Sequence, residues 1–483
     1  MASGIVNRVK NAPPQAMRLI FLHGWSVTST DTYGSLPEIL RERAPAAGLT
    51  LDLIDLHLGR YVSFRNEVRM DDVVRALHHA LLETLSDGRG GIHPFSCITH
   101  STGGPVMRCW MQAYYGADRL MECPLEKLIM LAPANHGSPL AVLGASRLGR
   151  LKSWFEGIEP GDGMLRWLEL GSEEARVLNQ AWLAYRPSAS GSRVRPFVLT
   201  GTTIDKKLYD HVNSYTGEAG SDGVVRAAGA NLDYSWLSLR QEDETVSMTG
   251  GGTATRLVYE RALRVSEPCP FLIVPGASHS GDKMGILRSP TLANADEKPV
   301  VAAVLQALAV STHENYEELA QAWSRATDSE QRGPGRHRRF FQLIVRVTDD
   351  RGSAVTDFDF ILLAGPRYDP DKLQKGFFVD KQCNRRSPQT ISFYLDFDAM
   401  MAVKGDFFGF RVLARPSSGF AWYQPAEFHS TTEQIDTFVD PNTTLYLDIT
   451  LKRRVDRETA RIDPAAQGPM DFNRIPPSGV AVR

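Results

Sequence analysis

The sequence predicts an α/β protein with a mostly parallel sheet, followed by a second domain built as an antiparallel β-sandwich. Two observations support this fold class. Up to about residue 310, short apolar runs alternate with segments of helical periodicity, which is typical of a parallel sheet with helices on both faces. After residue 340, apolar and polar residues alternate along segments that turn-rich stretches separate, which is typical of a sandwich.

The first part contains six apolar runs that we interpret as the strands of the parallel sheet. They span 18–22, 49–56, 95–99, 128–132, 197–201 and 271–274. Apolar residues at every fourth position from Val73 to Leu85 predict an amphipathic helix over 71–85. Further helices are predicted over 104–115 and 300–310.

The strongest chemical signal is the segment 95–104 (FSCITHSTGG), a predicted strand, turn and helix centred on Ser101. The nucleophile elbow of the α/β-hydrolase fold has this order of elements, and it needs small residues two positions before and after the nucleophile. Gly103 meets this requirement, whereas Thr99 departs from the usual G-x-S-x-G pattern. We interpret Ser101 as a nucleophile; the alternative is a serine that caps a helix.

An activated serine also needs donors for the oxyanion, which α/β-hydrolases take from main-chain N–H groups. One donor is expected at Thr102, directly after the nucleophile, and the other at Trp25, in the loop after the first strand. The base is expected after the last strand, where open α/β sheets place their sites, and His279 lies there. His136 is the alternative, but it comes too early for the chain order Ser…Asp…His.

The acid is expected between the nucleophile and the base, where Asp205, Asp210 and Asp222 are the candidates. Asp205 is nearest to the preceding strand. Asp222 lies in a turn followed by Val224 and Val225, which can bury its carboxylate against the imidazole. An ordinary turn aspartate is the alternative, because Asp-Gly is a common turn dipeptide. The residues alone therefore leave Asp205 and Asp222 open.

Five segments, in this order, resemble the motifs of bacterial lipases and phospholipases. They are 23–25 (HGW), 99–104 (THSTGG), 131–139 (LAPANHGSP), 221–225 (SDGVV) and 278–279 (SH). The chain is most similar to lipases related to lecithin–cholesterol acyltransferase and to the inositol-deacylating lipases of anchor remodelling. The resemblance implies that Asp222, in the S-D-G-hydrophobic segment, is the triad acid. The extra β-rich domain on a chain without a signal is also similar to lipase effectors of the type VI secretion system.

The three triad residue types predict a serine hydrolase that works through an acyl-enzyme and needs no metal or organic cofactor. Lipid or phospholipid esters are the expected substrates, because the segment 138–195 is rich in Trp and Leu. Two other classes stay open: an esterase of soluble substrates, and a binding protein on a hydrolase scaffold. Nucleic acid is not an expected partner, because 54 basic and 56 acidic residues leave a formal charge of −2 and no basic field.

Two segments interrupt the alternation of strands and helices. Residues 138–195 are rich in Trp and Leu, with glycines between them. They form either an ordinary helical excursion or a lid, since a lid needs a dry inner face and hinges. In the second case Trp154, Phe155 and Trp167 are candidate substrate-binding residues. Residues 231–265 are predicted to form a β-hairpin.

The chain is predicted to divide into a catalytic domain over 1–310, a polar linker with a short helix over 311–339, a sandwich over 340–453 and a tail over 454–483. The sandwich strands are predicted over 340–348, 358–364, 391–397, 408–414 and 444–451. All three triad residue types precede the linker. We therefore expect the sandwich to dock on a membrane surface or a protein partner without supplying a catalytic group, so that a chain ending near Val310 keeps activity on short esters.

Cysteine usage and the N-terminus bear on localisation. The five cysteines are scattered, without a C-x-x-C pair, which argues against a disulfide framework or a zinc site and indicates a reducing compartment. The N-terminus lacks the apolar core of a signal peptide, and no apolar run reaches about 18 residues. We expect synthesis in the cytoplasm without a signal peptide, with signal-independent export left open.

Overall fold

The computed structural model describes residues 16–23, 32–58, 67–141, 161–186, 191, 193–204, 218–332, 339–373, 376–404 and 407–456. In chain order the strands are β1 (Met17–His23), β2 (Leu51–His57), β3 (Phe95–His100), β4 (Leu125–Leu131), β5 (Arg195–Thr200), β6 (Tyr234–Ser247), β7 (Thr253–Tyr259), β8 (Arg264–Val265), β9 (Phe271–Ile273), β10 (Phe340–Asp349), β11 (Phe358–Ala364), β12 (Phe378–Cys383), β13 (Thr390–Asp396), β14 (Phe407–Ala414), β15 (Ala421–Trp422), β16 (Ala426–Thr431), β17 (Thr444–Leu451) and β18 (Arg454–Val455). The α-helices are α1 (Leu36–Arg43), α2 (Met70–Leu85), α3 (Gly103–Tyr114), α4 (Asp162–Leu168), α5 (Glu173–Trp182), α6 (Ala227–Ala230), α7 (Pro299–Ala309), α8 (His313–Arg332), α9 (Phe397–Lys404) and α10 (Thr432–Asp436).

The first sheet has six parallel strands in the order β2-β1-β3-β4-β5-β9, which confirms the six predicted strands. Successive side chains along each strand point into two different cores. In β1, Leu19 and Phe21 enter one core, whereas Ile20 and Leu22 enter the other. Because both faces are covered, β3, β4, β5 and β9 are buried at nearly every position rather than at every second one.

Helices cover both faces of this sheet, as the alternation predicted. The core on one face includes side chains of α2 and α3, and the core on the opposite face includes side chains of α1, α7 and α8. Among the described residues, no helix combines the length and the apolar character that crossing a membrane requires.

The predicted linker over 311–339 contains α8, a 20-residue helix that packs on the first sheet. Tyr316 and Trp323 on its buried side make edge contacts with the ring of Phe197 in β5, at centroid distances of 5.4 and 6.1 Å. The amphipathic character of this segment extends to Gln331, beyond the short helix expected over 314–323. One side of α8 therefore packs into the folded core of the first sheet.

The second sheet confirms a β-rich second domain, but its strand arrangement differs in detail from the expected antiparallel sandwich. Ten strands form one mixed, curled sheet, in which β8 pairs with β6 and the others follow the order β11-β14-β16-β7-β6-β17-β10-β13-β12. The pairs β10/β17, β17/β6 and β7/β16 are parallel. The sheet surrounds its own hydrophobic core, which includes Val345, Phe393 and Leu447.

The predicted hairpin over 231–265 forms as the antiparallel pair β6/β7, but it belongs to the second sheet rather than to the first domain. The first half of β6, from Tyr234 to Arg240, pairs with β17, a strand near the far end of the chain. Side chains of β6 also reach both units, since Trp236 lies in a core of the first sheet and Leu237 in the core of the second. The second domain is thus not an independent C-terminal module.

Candidate active site

Ser101 lies in the sharp turn between β3 and α3. Its φ of +52° is in the left-handed region, which residues other than glycine rarely adopt. The main-chain N–H of Ser101 donates to the carbonyl oxygen of Leu131, at 3.0 Å. A Cβ atom at Gly103 would lie 3.2 Å from the Cβ of Thr99, so the glycine makes room for the threonine that departs from the usual motif.

The structure brings the predicted nucleophile, base and acid together in one hydrogen-bonded chain. His279 Nε2 lies 3.1 Å from Ser101 Oγ, and His279 Nδ1 lies 2.9 Å from Asp222 Oδ2. The side chains of His279 and Asp222 are fully buried. The ionised carboxylate can only accept, so it fixes the proton on Nδ1 and leaves the Nε2 lone pair free to take the Ser101 proton.

Main-chain donors orient the Asp222 carboxylate. Its Oδ1 accepts hydrogen bonds from the N–H groups of Val224 and Val225, at 2.9 and 2.8 Å. The Ser138 hydroxyl donates to the carbonyl oxygen of Val224 at 2.6 Å. The direction of the carboxylate is therefore set by the backbone of its own turn.

His100, the residue before the nucleophile, holds the main chain of the base and was not predicted. Its Nε2–H donates to the carbonyl oxygen of His279 at 3.1 Å, and the two rings lie 4.6 Å apart. On the other side, the N–H of His279 donates to the carbonyl oxygen of Asp222 at 3.1 Å. Burial, together with the nearby His279, holds the pKa of His100 well below its usual value, so His100 stays neutral.

Thr102 lies directly after Ser101, at the N-terminus of α3, where main-chain N–H groups have no partner within the helix. This placement suits an oxyanion donor. Trp25, the second predicted donor, lies outside the described residues and stays a prediction.

Tyr33 contacts the ends of β1 and β3. Its hydroxyl lies 2.7 Å from the carbonyl oxygen of Leu22 and 3.2 Å from that of Ile98.

His136, the alternative base, has other partners than the hydrogen-bonded chain of Ser101, His279 and Asp222. Its ring is buried; Nε2–H donates to the carbonyl oxygen of Asn231 at 2.8 Å, and Nδ1 accepts from the hydroxyl of Tyr446 at 2.9 Å. Burial, and next the Arg108 guanidinium, lower the pKa of His136 to about 3. His136 therefore joins the two sheets as a neutral side chain.

A buried polar network connects the helix after the nucleophile to the second sheet. The Arg108 guanidinium on α3 donates to the side-chain oxygens of Asn135 and Asn179, at 3.1 and 2.8 Å, and lies 4.5 Å above the ring of Trp182. Asn179 in turn donates to the hydroxyl of Tyr446 on β17, at 2.8 Å. These partners are far apart in the chain, so no local pattern in the sequence indicates the network.

Several predicted residues cannot be placed at the site. Trp154, Phe155, Asp205 and Asp210 lie outside the described residues. Trp167 on α4 is 2% exposed and packs in the core between the helices. It borders a groove lined by residues of α2, α3, α4 and α5, and this groove does not include Ser101. The described contacts give Trp167 a packing role, and its part in substrate binding stays a prediction.

The fold and its similarity to known structures show a carboxylic ester hydrolase of the lipase class, with an α/β-hydrolase core. The structure is similar to phospholipase PlaB from Legionella pneumophila, with a TM-score of 0.82 and 42% identity over 94% of this chain and 97% of that chain. A structure of PlaB in complex with thio-NAD matches over the same shares, with a TM-score of 0.82 and 40% identity. The chain therefore belongs to the PlaB phospholipase family.

A lipase from Bacillus licheniformis, BlEst2, has a much lower similarity, with 19% identity and a TM-score of 0.32 over 47% of this chain and 83% of that chain. No protein-family model matches the sequence, and a search of curated proteins finds no match.

Proposed function

We propose that the chain is a phospholipase in which Ser101, His279 and Asp222 form a catalytic triad. The observation that carries this proposal is the continuous hydrogen-bonded chain from Ser101 Oγ through the His279 ring to the Asp222 carboxylate. The substrate class follows from the family, because the relatives at about two-fifths identity are phospholipases. A phospholipid acyl ester is the substrate that fits both the serine chemistry of the site and the family.

In the first half of the reaction, Ser101 Oγ attacks the carbonyl carbon of the acyl ester while His279 Nε2 takes the hydroxyl proton. Asp222 stabilises the imidazolium that forms. The Thr102 N–H, with the predicted Trp25 N–H, holds the oxyanion of the tetrahedral intermediate. The intermediate collapses, His279 gives its proton to the departing alkoxide oxygen, and a lysophospholipid leaves.

In the second half, water replaces the alcohol in the site. His279 takes a proton from the water while the water oxygen attacks the carbonyl carbon of the acyl-enzyme. Collapse of the second tetrahedral intermediate breaks the ester bond to Ser101, and His279 returns the proton to Ser101 Oγ. The fatty acid is released, and the enzyme is restored.

The direct test is Ser101→Ala, assayed for fatty-acid release from vesicles of phosphatidylcholine and phosphatidylglycerol. We expect a loss of several orders of magnitude, because triad members act as a unit. Ser96→Ala is the matched control: Ser96 is a buried serine of β3, the strand before the elbow, and its hydroxyl has no partner among the described residues. The control should keep its activity. A folded Ser101→Ala protein with turnover close to that of the wild type contradicts the proposal.

A short-chain phosphatidylcholine distinguishes the lipase from an esterase of soluble substrates. Its hydrolysis is measured below and above the concentration at which it forms micelles. A lipase with a lid should show a rise in rate at that concentration. A rate that simply saturates through it favours the soluble-substrate esterase.

A further inference from the structure

The turn that carries Asp222 rests directly on the second sheet. Gly220, two residues before Asp222, has a φ of +76°. A Cβ atom at Gly220 would lie 2.3 Å from a ring carbon of Phe340 and 2.5 Å from the hydroxyl oxygen of Tyr394. Phe340 begins β10 and Tyr394 lies in β13, so the glycine backbone is in contact with both strands.

Tyr394 also bonds to the start of this turn. Its hydroxyl donates to the carbonyl oxygen of Ala219 at 3.1 Å. The ring is fully buried and stacks on Phe340, with centroids 4.9 Å apart. A buried tyrosine that packs with its ring and donates with its hydroxyl fixes the position of the group it binds.

Arg226 holds the other end of the turn. Its main chain pairs with that of Ser221, which closes the turn around Asp222. Its guanidinium is 1% exposed and donates two hydrogen bonds of 2.8 Å to the carboxylate of Glu218. It also forms an ion pair with Asp380, on the edge strand β12 of the second sheet.

The same guanidinium lies 4.3 Å above the ring of Tyr394. Tyr394 and Asp380 thus hold the two ends of one turn and also contact the same arginine. Because the Asp222 carboxylate is oriented by N–H groups of that turn, a displacement of the turn is a displacement of the carboxylate. Small errors in such geometry lower catalytic rates strongly.

We propose that Tyr394 and Asp380 of the second sheet are positioning residues for the catalytic acid, and this rests on the proposed function of Asp222. They keep the carboxylate in line with His279 Nδ1 while the imidazolium forms. The second domain therefore takes part in hydrolysis through Asp222, although Ser101 Oγ and the His279 ring have no hydrogen bond to any of its described side chains.

The test combines Tyr394→Phe and Asp380→Asn, separately, with Asp222→Asn in double-mutant cycles. Turnover is measured with a soluble, activated short-chain ester, so that vesicle binding does not affect the result. Tyr423→Phe and Asp359→Asn are the matched controls. Tyr423 bonds to Asp349, and Asp359 pairs with Arg415, both within the second domain.

Each of the two variants should lower kcat about tenfold or more, with little change in KM, while both controls keep wild-type values. The acid limb of the pH profile should move to lower pH, because a displaced carboxylate stabilises the His279 imidazolium less. In the Asp222→Asn background the same substitutions should cause no further loss, since they act only through Asp222.

Losses that are just as large in the Asp222→Asn background would show a general structural defect and overturn the inference. Wild-type kcat in Tyr394→Phe and Asp380→Asn also overturns it, provided that Asp222→Asn itself is nearly inactive. If Asp222→Asn keeps wild-type turnover, the proposed triad fails first, and the inference fails with it.

Discussion

The Nε2–H of His100 donates a hydrogen bond to the main-chain carbonyl oxygen of His279, 3.1 Å away, although the two residues are 179 positions apart. This bond joins the nucleophile elbow directly to the loop of the base. The N–H of His279 is held by the carbonyl oxygen of Asp222. The peptide groups on both sides of His279 are thus tied to the residue before the nucleophile and to the acid.

Two substitutions of His100 with side chains of similar size test this arrangement. The side-chain N–H of His100→Gln can reach the carbonyl oxygen of His279, whereas His100→Met fills similar space without a donor. We expect the glutamine variant to stay within about tenfold of wild-type kcat and the methionine variant to fall about a hundredfold, with similar KM and thermal stability. Steady-state kinetics on a soluble ester measures both. Equal losses in the two variants mean that the hydrogen bond is not what matters.

The departure from the usual elbow motif gives a second prediction. Gly103→Ala should lower the free energy of unfolding by about 1 kcal/mol, because its Cβ would approach the Cβ of Thr99 to 3.2 Å. In a Thr99→Gly background the same substitution should cost less free energy of unfolding. A double-mutant cycle of urea unfolding measures this coupling between the two positions. Strictly additive effects indicate that the two positions do not compete for space.

Acidification should lower the free energy of unfolding, because His136 is buried as a neutral side chain. Its pKa, lowered to about 3 in the folded state, is near 6.5 in the unfolded chain. Between these values the unfolded state binds more protons, so the free energy of unfolding falls as the pH drops from about 6.5 towards 3, by at most about 5 kcal/mol. Above pH 6.5 this contribution is fully present.

Urea unfolding at several pH values measures this slope in the wild type and in His136→Gln. The variant should unfold more easily at neutral pH and show a shallower loss on acidification. His313→Gln, at an exposed histidine on α8, shows what the loss of a histidine outside this network does to stability. Parallel slopes in wild type and His136→Gln are incompatible with a buried neutral imidazole.

Truncation tests whether the second domain is separable. A chain that ends at Val310 would leave β6 without β17, and β7 without β16. It would also remove Tyr446, which bonds to His136 and Asn179. Contrary to the sequence-based expectation, we predict that this fragment does not fold, as circular dichroism and thermal melting would show. A folded fragment with short-ester activity contradicts the shared architecture.

The sequence was sufficient to predict features that depend on neighbouring residues. The apolar runs of the first sheet, the helix over 71–85 and the elbow around Ser101 are of this kind, because local periodicity and turn chemistry specify them. His279 was predictable because its position after the last strand follows from the chain order of the fold.

The remaining features depend on contacts between distant residues. Tyr394 and Ala219 are 175 positions apart, and Asp380 and Arg226 are 154 apart. Apolar and polar residues alternate too weakly along β6 to indicate which of the two sheets it belongs to, because its first half is buried on both faces. Neither periodicity nor a motif indicates which strand β17 pairs with. Only the structure therefore shows that β6 and β7 belong to the second sheet.

The most direct test of the central claim is fluorophosphonate labelling of the full-length protein, followed by intact-mass and peptide mass spectrometry. A serine activated by a buried His–Asp pair reacts with this probe, whereas ordinary serines do not. We expect one label per chain, on Ser101, with Ser101→Ala unlabelled and Asp222→Asn labelled much more slowly. A folded, active protein that takes no label, or takes it on another residue, contradicts the assignment of Ser101 as the nucleophile.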